Sequence, residues 1–244
     1  GGLAVSMKLS GTINRLTGVE KNIDNAISFL QVQDGVLESA GKILDRMAEL
    51  KALSQDVLKN SSDIANYNAE FQNLQVQLYQ MSETKFNGVS LFGAGATAKF
   101  GGTSTEDVTV SIFTSATGES GSKVSINKAM LLSALTVVSN TLASDTHSNA
   151  SNAGAAGSNG TFTFAASTSS GTMTLAKVSV AVFTQALQNI ATLRAENGGS
   201  VSRLQFSKES TAAQRTNLEA AKGRIMDVDI ASESTQLAKY NILV

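Results

Sequence analysis

The chain of 244 residues is long enough for one or two domains, and with 42% apolar and 16% charged residues it has the composition of a lightly charged globular protein. Its net charge of -1 excludes a nucleic-acid binder that relies on bulk positive charge. It has no Cys and a single His, His147, which excludes disulfides, thiolate metal sites and any site built on two imidazoles. No apolar run approaches the roughly 20 residues of a membrane helix, so membrane insertion is not expected.

The first fifty residues carry an apolar repeat with a period of seven. Because that period keeps one face of a helix against its partners, the repeat predicts a single long helix. No Pro interrupts it, and fifty helical residues would span about 75 Å. The repeat is Leu9, Leu16, Ile23, Leu30, Leu37 and Leu44, widened by Ile13, Val19, Ala26, Ile27, Ala40 and Met47.

Two further amphipathic helices are predicted in the same way. Ser61-Ser62-Asp63 supplies a helix start, and the apolar residues after it recur in steps of four and three. In the third helix, Asn197 and Thr211 interrupt the heptad positions, and Gly198-Gly199 weakens the helix without ending it. The second stripe is Tyr67, Phe71, Leu74, Leu78 and Met81, and the third is Phe183, Leu187, Ile190, Val201, Leu204, Leu218 and Ile225.

The middle of the chain differs from both ends in composition. Residues 93–180 hold only four basic and four acidic residues, and residues 140–172 are almost wholly Ser, Thr, Gly, Asn and Ala. A turn is predicted at Phe86-Asn87-Gly88, a hairpin with strands at 98–100 and 108–113, a buried helix at 127–142, and another hairpin pairing 161–164 with 172–175.

We therefore predict a mainly α fold, in which a long antiparallel helical bundle comes from both chain ends. A β-hairpin and a small mixed α/β insertion domain lie in the middle. Residues 1–92 and 181–244 would form one discontinuous helical core domain, and residues 93–180 would form a variable outer insertion domain. The chain begins without Met and ends within a helical pattern, so we also expect it to be an internal piece of a longer protein.

The chemical motifs in the sequence are weak. Ser125-Ile126-Asn127-Lys128 matches the Ser-x-x-Lys pattern of acyl transfer but lacks the accompanying motifs, so it is interpreted as a helix N-terminus. Gly93-Ala94-Gly95 lacks the third Gly of a nucleotide loop and is interpreted as a flexible turn. Asp227 and Asp229 have too few oxygen ligands around them for a cation, and His147 is interpreted as an exposed loop residue. No catalytic, cofactor-binding or metal-binding residue is predicted, and the protein is not expected to be an enzyme.

Several longer motifs make the chain resemble bacterial flagellin. They cover nearly all of residues 1–92 and most of 183–244, in the order of the family. The first group is Gly2-Leu3-Ala4-Val5-Ser6, Asn22-Ile23-Asp24-Asn25-Ala26-Ile27-Ser28, Leu44-Asp45-Arg46-Met47-Ala48-Glu49-Leu50 and Lys85-Phe86-Asn87-Gly88-Val89. The second is Asn217-Leu218-Glu219-Ala220-Ala221, Arg224-Ile225-Met226-Asp227-Val228-Asp229-Ile230-Ala231 and Asn241-Ile242-Leu243.

The resemblance implies a structural subunit of the bacterial flagellar filament, secreted and located outside the cell, that assembles with copies of itself into a helical homopolymer. It also implies hook-associated and cap proteins and a flagellin export chaperone as partners. The terminal coiled-coil segments of the family are missing from this sequence, so this piece is expected not to polymerise. A hook–filament junction protein remains an alternative. So does a cell-surface polysaccharide-binding adhesin, with Phe162 and Phe164 as the aromatic candidates.

The resemblance further implies a contact surface on the first helix and its hairpin partner. In flagellins sensed by the Toll-like receptor of the vertebrate host, matched positions fall on Arg46, Leu50 and Glu70, and Glu49 belongs to the same surface. Arg46 would offer a forked donor, Leu50 an apolar knob and Glu70 an acceptor. Ala48 and Lys51 depart from the family, which usually has Arg and Ala there. We therefore expect this surface to serve subunit packing, with weak receptor activation at best.

Overall fold

The computed structural model of the chain describes residues 1–93, 100, 109–113, 117, 121, 123–138 and 161–243. This part is mainly helical, as predicted. The helices are α1 (Gly2–Ser54), α2 (Ser61–Ser82), the single turn α3 (Leu131–Ala134) and α4 (Val180–Leu243). The strands are β1 (Lys85–Phe86), β2 (Val89–Ser90), β3 (Thr109–Phe113), β4 (Lys123–Asn127), β5 (Thr136–Val138) and β6 (Thr161–Thr163).

The predicted first helix is confirmed as α1, and its apolar repeat is the buried face. Leu9 is half-buried, whereas the five later members of the repeat expose at most 2% of their surface. Burial of one row of Leu and Ile along the whole helix supplies the hydrophobic stabilisation that an isolated helix of this composition lacks. The five are Leu16, Ile23, Leu30, Leu37 and Leu44.

The start of α2 is fixed by a reciprocal cap at Asn60. The Asp63 backbone N–H donates to Asn60 Oδ1 at 2.9 Å, and the Asn60 N–H donates to Asp63 Oδ2 at 3.3 Å. Two backbone donors that the first helical turn leaves without intrahelical partners are thereby satisfied. The helix start predicted at Ser61-Ser62-Asp63 is confirmed.

The third predicted helix is confirmed as α4, which continues through Gly198-Gly199. The two polar interruptions of its apolar repeat are not on the solvent face. Asn197 is 6% exposed and Thr211 is 2% exposed. Their hydrogen-bond partners therefore decide whether they stabilise or weaken the packing.

The chain divides into two packed units, and each unit is made of segments that are not contiguous in the sequence. One consists of Gly1–Ser28, Ser111–Ile126 and Val201–Val244, and the other of Phe29–Val110 and Asn127–Ser200. Both units contain part of α1 and part of α4. The predicted division into a helical domain (1–92 with 181–244) and an insertion (93–180) follows composition rather than packing, and it stays a prediction.

In the first unit, α1 and α4 bury Leu16, Ile23 and Leu204. Ion pairs flank these residues. Lys208 Nζ lies 2.7 Å from Asp24 Oδ1, and Arg215 Nε lies 3.1 Å from Glu20 Oε2. Hydrogen bonding to Asp24 raises the pKa of Lys208. Acidic residues on α1 thus face basic residues on α4, an arrangement that favours one helix pairing over others.

In the second unit, three aromatic rings form the centre of the core. Phe183 of α4 lies 6.1 Å from Phe71 of α2, edge to face, and stacks on Phe164 at 4.9 Å between centroids. All three side chains expose at most 1% of their surface. Because such ring pairs stabilise beyond their buried area, they fix α2 and α4 against the segment that follows β6.

The predicted turn at Phe86-Asn87-Gly88 is confirmed as the connection between β1 and β2. These strands are antiparallel, with Lys85 opposite Ser90 and Phe86 opposite Val89. Asn87 and Gly88 have φ angles of 49° and 77°. A two-residue hairpin loop with positive φ at both positions matches the twist of its strands, and Asn-Gly is the pair that adopts it most readily.

The predicted helix over 127–142 is wrong. Among the described residues of this stretch, only Leu131–Ala134 is helical, and Thr136–Val138 is the strand β5. A run of three β-branched residues favours an extended backbone. It pairs antiparallel with β6, with Val137 opposite Phe162.

The predicted hairpin between 161–164 and 172–175 is also wrong, because β6 pairs with β5 instead. The second segment forms no strand: a short 3₁₀ turn at Ser169–Gly171 precedes it, and another, Leu175–Lys177, begins at its last residue. Of the predicted hairpin between 98–100 and 108–113, the second strand is confirmed over Thr109–Phe113, and it pairs with β4. The strand predicted at 98–100 lies almost wholly outside the described residues. Ser125 lies in β4, so its interpretation as a helix N-terminus is wrong.

The segment 172–178, called the strap below, is held by side chains instead of a strand partner. Gln75 donates Nε2 to the Met173 carbonyl and accepts the Met173 N–H at Oε1, both at 2.9 Å. The Leu175 N–H donates to Asn68 Oδ1 at 2.8 Å, and Lys51 Nζ donates to the Leu175 carbonyl at 2.9 Å. The backbone groups of two alternate strap residues are therefore satisfied inside the core.

Candidate functional site

The strongest polar cluster among the predicted site residues is a fork between α1 and α2. Arg46 Nε donates to Glu70 Oε1 at 3.0 Å, and Nη2 donates to Glu70 Oε2 at 2.9 Å. The remaining nitrogen, Nη1, lies 2.9 Å from Glu49 Oε1 one turn along α1. A guanidinium held by two carboxylates in this geometry has a fixed orientation, which a single exposed ion pair lacks. Arg46, Glu49 and Glu70 are called the fork surface below.

The heptad pattern explains why the fork forms here. Leu44 and Met47 are fully buried, so Arg46 lies at the edge of the buried face of α1. Glu70 directly precedes the fully buried Phe71 and so lies at the matching edge of α2. The two helices thus bring the side chains together from positions 24 residues apart.

The fork surface is partly open to solvent and carries one positive and two negative charges. The side chains of Arg46 and Glu70 are each 40% exposed, and that of Glu49 is 61% exposed. Hydrogen bonding to Glu70, and then to Glu49, raises the pKa of Arg46. The guanidinium is therefore charged at every working pH, and carboxylate oxygens and N–H groups remain available for a polar partner.

Leu50 does not belong to this surface. Its side chain is fully buried, so the prediction that it offers an exposed apolar knob is wrong. The reason is its place on α1, because Leu50 follows Met47 by three residues and continues the buried stripe. Of the four predicted site residues, the structure therefore brings together Arg46, Glu49 and Glu70.

Lys51 has a structural position that sequence reasoning did not identify. It is only 9% exposed, and its ammonium group donates to the Leu175 carbonyl of the strap. A lysine next to a buried heptad stripe, where the family usually has Ala, was the one signal that could have indicated it. The Lys at this position, where the family usually has Ala, therefore contributes to the packing of the core.

The remaining chemical candidates do not form a site. Ser125 is exposed on β4, and Asp227 and Asp229 are exposed on α4. Within the described ranges, no group of three or more His, Cys, Asp or Glu side chains is placed to hold a metal ion. His147 lies outside the described residues.

Phe164 cannot serve as a stacking platform for sugars, because its ring is fully buried against Phe183. The side chain of Phe162 lies outside the described part of the structure. As to membranes, none of the helices described above has an apolar stretch that is long enough to cross one.

Two family models match the chain. Residues 1–97 match the bacterial flagellin N-terminal helical region, and residues 180–244 match the bacterial flagellin C-terminal helical region. Together they include α1, α2, the β1–β2 hairpin and the whole of α4.

Similar proteins agree with these matches. A flagellar filament 30.7 kDa core protein of Treponema maltophilum is 26% identical and aligns with 99% of this chain and 76% of its own length. A flagellin of Listeria monocytogenes is 27% identical, and the alignment again covers 99% of this chain and 76% of the relative. The crystal structure of Bacillus cereus flagellin superposes with a TM-score of 0.51 at 22% identity, covering 83% of this chain and 94% of that one. This last likeness concerns the fold.

Proposed function

Because this chain belongs to the bacterial flagellin family and is a structural subunit of the flagellar filament, we propose that its fork surface contacts a neighbouring subunit in that filament. The observation that carries the proposal is the rigid arrangement of Arg46 between Glu49 and Glu70 at partly exposed positions. Charged side chains already held in place lose little freedom when a partner binds. They also set the orientation of that partner.

The test compares the variant Arg46→Ala with the control Arg203→Ala in the full gene product. Arg203 is an exposed arginine of α4 and lies outside the fork surface. Assembly is followed by light scattering and electron microscopy at increasing ammonium sulfate. We expect Arg46→Ala to raise the protein concentration needed for assembly several-fold, and Arg203→Ala to leave it unchanged.

A folding defect is separated from an assembly defect by thermal unfolding of the unassembled protein. The fork is partly exposed to solvent, so its loss should change the melting temperature little. If Arg46→Ala assembles at the same protein concentration as the parent, the fork surface is not part of the subunit interface.

The family resemblance also supports further partners. Self-assembly into the filament is the function that membership in the family implies. We propose in addition that hook-associated proteins, cap proteins and an export chaperone bind this subunit, that it lies outside the cell, and that it has no catalytic activity. The hook–filament junction protein and the adhesin find no support in the relatives named above, which are flagellins and a filament core protein.

Recognition by a vertebrate Toll-like receptor is proposed to be weak. Of the positions implied by the resemblance, Leu50 is buried and Arg46 is occupied by two carboxylates of its own chain. A receptor would have to bind these groups as they stand or separate them. Reporter cells that carry the receptor should respond weakly to the parent and more weakly to Arg46→Ala, and a strong response that this substitution leaves unchanged would contradict the proposal.

A further inference from the structure

The apolar seam between α1 and α4 is interrupted by polar residues on both helices. In α4 the residues that recur every seven positions are apolar except for Asn197 and Thr211, and in α1 one of the two inward rows is interrupted at Gln33. Gln33 and Asn197 are 2% and 6% exposed. The α4 row is Phe183, Ile190, Asn197, Leu204, Thr211, Leu218 and Ile225, and the α1 row is Val19, Ala26, Gln33, Ala40 and Met47.

Two of these three polar residues, Gln33 and Asn197, contact each other. Asn197 Nδ2 donates to Gln33 Oε1 at 2.7 Å and also to the Leu30 carbonyl at 2.9 Å. Gln33 Nε2 in turn donates to the carbonyl of Leu91, the residue after β2, at 2.7 Å. One chain of hydrogen bonds therefore connects α4, α1 and the end of the β1–β2 hairpin.

Thr211, the other polar residue of the α4 row, forms its hydrogen bond within α4. Its hydroxyl donates to the Ser207 carbonyl one turn earlier in the same helix, at 2.8 Å. That hydrogen bond is made wherever α4 lies along its partner, so it carries no information about the pairing. Asn197 is different, because both of its hydrogen bonds cross to α1.

A purely apolar heptad seam does not distinguish one pairing from another displaced by seven residues, since each displacement again places apolar rows together. With Gln33 and Asn197 present, that displacement has a cost. A slip of one heptad would place Asn197 level with Ala40, whose methyl group accepts no hydrogen bond. Both amides would then be buried among apolar side chains away from each other.

We infer that Gln33 and Asn197 are the specificity-determining pair that sets the register of α1 against α4. The pair excludes displaced packings that the apolar rows alone would tolerate, and through Leu91 it ties the β1–β2 hairpin to the same register. Isosteric apolar residues at both positions would keep the helices together and leave the selection to the partly exposed ion pairs between α1 and α4, which discriminate weakly.

The test uses cysteine reporters in a chain that has no cysteine of its own. Asp34 and Arg194 form an ion pair across the seam at 2.9 Å, so the reporter pair D34C/R194C reads the native register. The pair G41C/R194C reads a slip of one heptad, and the space around Gly41 admits a side chain. Each pair is crosslinked with a short bifunctional maleimide in three backgrounds: the parent, Q33L/N197L, and the exchanged pair Q33N/N197Q.

We expect the parent and the exchanged pair to crosslink through D34C/R194C alone. The apolar variant Q33L/N197L leaves the buried Leu91 carbonyl without its Gln33 donor, so it should unfold at a somewhat lower temperature than the parent, and its crosslinking through G41C/R194C should rise at least tenfold. The inference is overturned if Q33L/N197L keeps the native crosslink alone, or if it fails to fold, since the pair would then serve stability instead of register. None of these readouts depends on assembly, so the proposal for the fork surface is tested separately.

Discussion

Neighbouring residues of α1 have quite different tasks. Arg46 is held by carboxylates at the surface, Met47 fills the core, Leu50 continues the buried stripe, and Lys51 extends under the strap to a backbone carbonyl. The helical period of 3.6 residues separates these environments within two turns. Residues that are adjacent in the sequence, and that were predicted to form one site, therefore lie partly at the surface and partly in the interior.

The buried Leu residues of the repeat should dominate stability. Leu44 is fully buried, and removing its side chain leaves a cavity, so Leu44→Ala should lower the free energy of unfolding by about 2–5 kcal/mol. Leu58, which is 88% exposed in the turn before α2, is the matched control, and Leu58→Ala should change it by less than about 0.5 kcal/mol. Urea unfolding measures both. Equal effects of the two substitutions would show that the repeat is not the core.

At the scale of elements, the strap depends on a single side chain of α2 for both backbone groups of Met173. The variant Gln75→Leu leaves the Met173 N–H and carbonyl buried without these partners. We expect stability to fall by about 1–3 kcal/mol, and we expect the Met173 amide to exchange its hydrogen with solvent roughly tenfold faster or more.

Hydrogen exchange measured by NMR checks this prediction. The exposed Gln77 of the same helix supplies the control variant Gln77→Leu, which should leave the exchange of Met173 unchanged. An unchanged rate in Gln75→Leu would mean that the strap is held by its buried apolar side chains alone.

The elements that the sequence predicted well are those with local signals. The helices α1, α2 and α4 follow from apolar periodicity, the start of α2 follows from a polar cluster, and the β1–β2 turn follows from Asn87-Gly88. Each of these signals comes from residues that are near one another in the sequence, which is why the helical fold could be predicted.

The middle of the chain was harder because its order comes from distant partners. The strand β5 pairs with β6, whose residues lie more than 20 positions away, and the strap is held by Lys51, Asn68 and Gln75 from α1 and α2. No local period reveals such contacts. The pairing of Gln33 with Asn197 was equally hidden, although the interruption of the repeat at Asn197 marked one partner.

At the scale of the whole molecule, the described surface suits a polymerising subunit. Large apolar side chains are exposed near the start of α1 and along the last part of α4, among them Leu3, Met7, Ile230, Leu237 and Tyr240. Exposed apolar groups in such numbers mark interaction surfaces. Head-to-tail contacts between identical subunits that do not close into a ring generate an open helical polymer.

A subunit of this family should build a filament from copies of itself. The most direct measurement is electron microscopy of the full gene product, purified as monomer and brought to assembly by ammonium sulfate. Long filaments of uniform diameter are the predicted result. A protein that stays monomeric at all salt and protein concentrations, or that forms only closed rings, would contradict its role as a filament subunit.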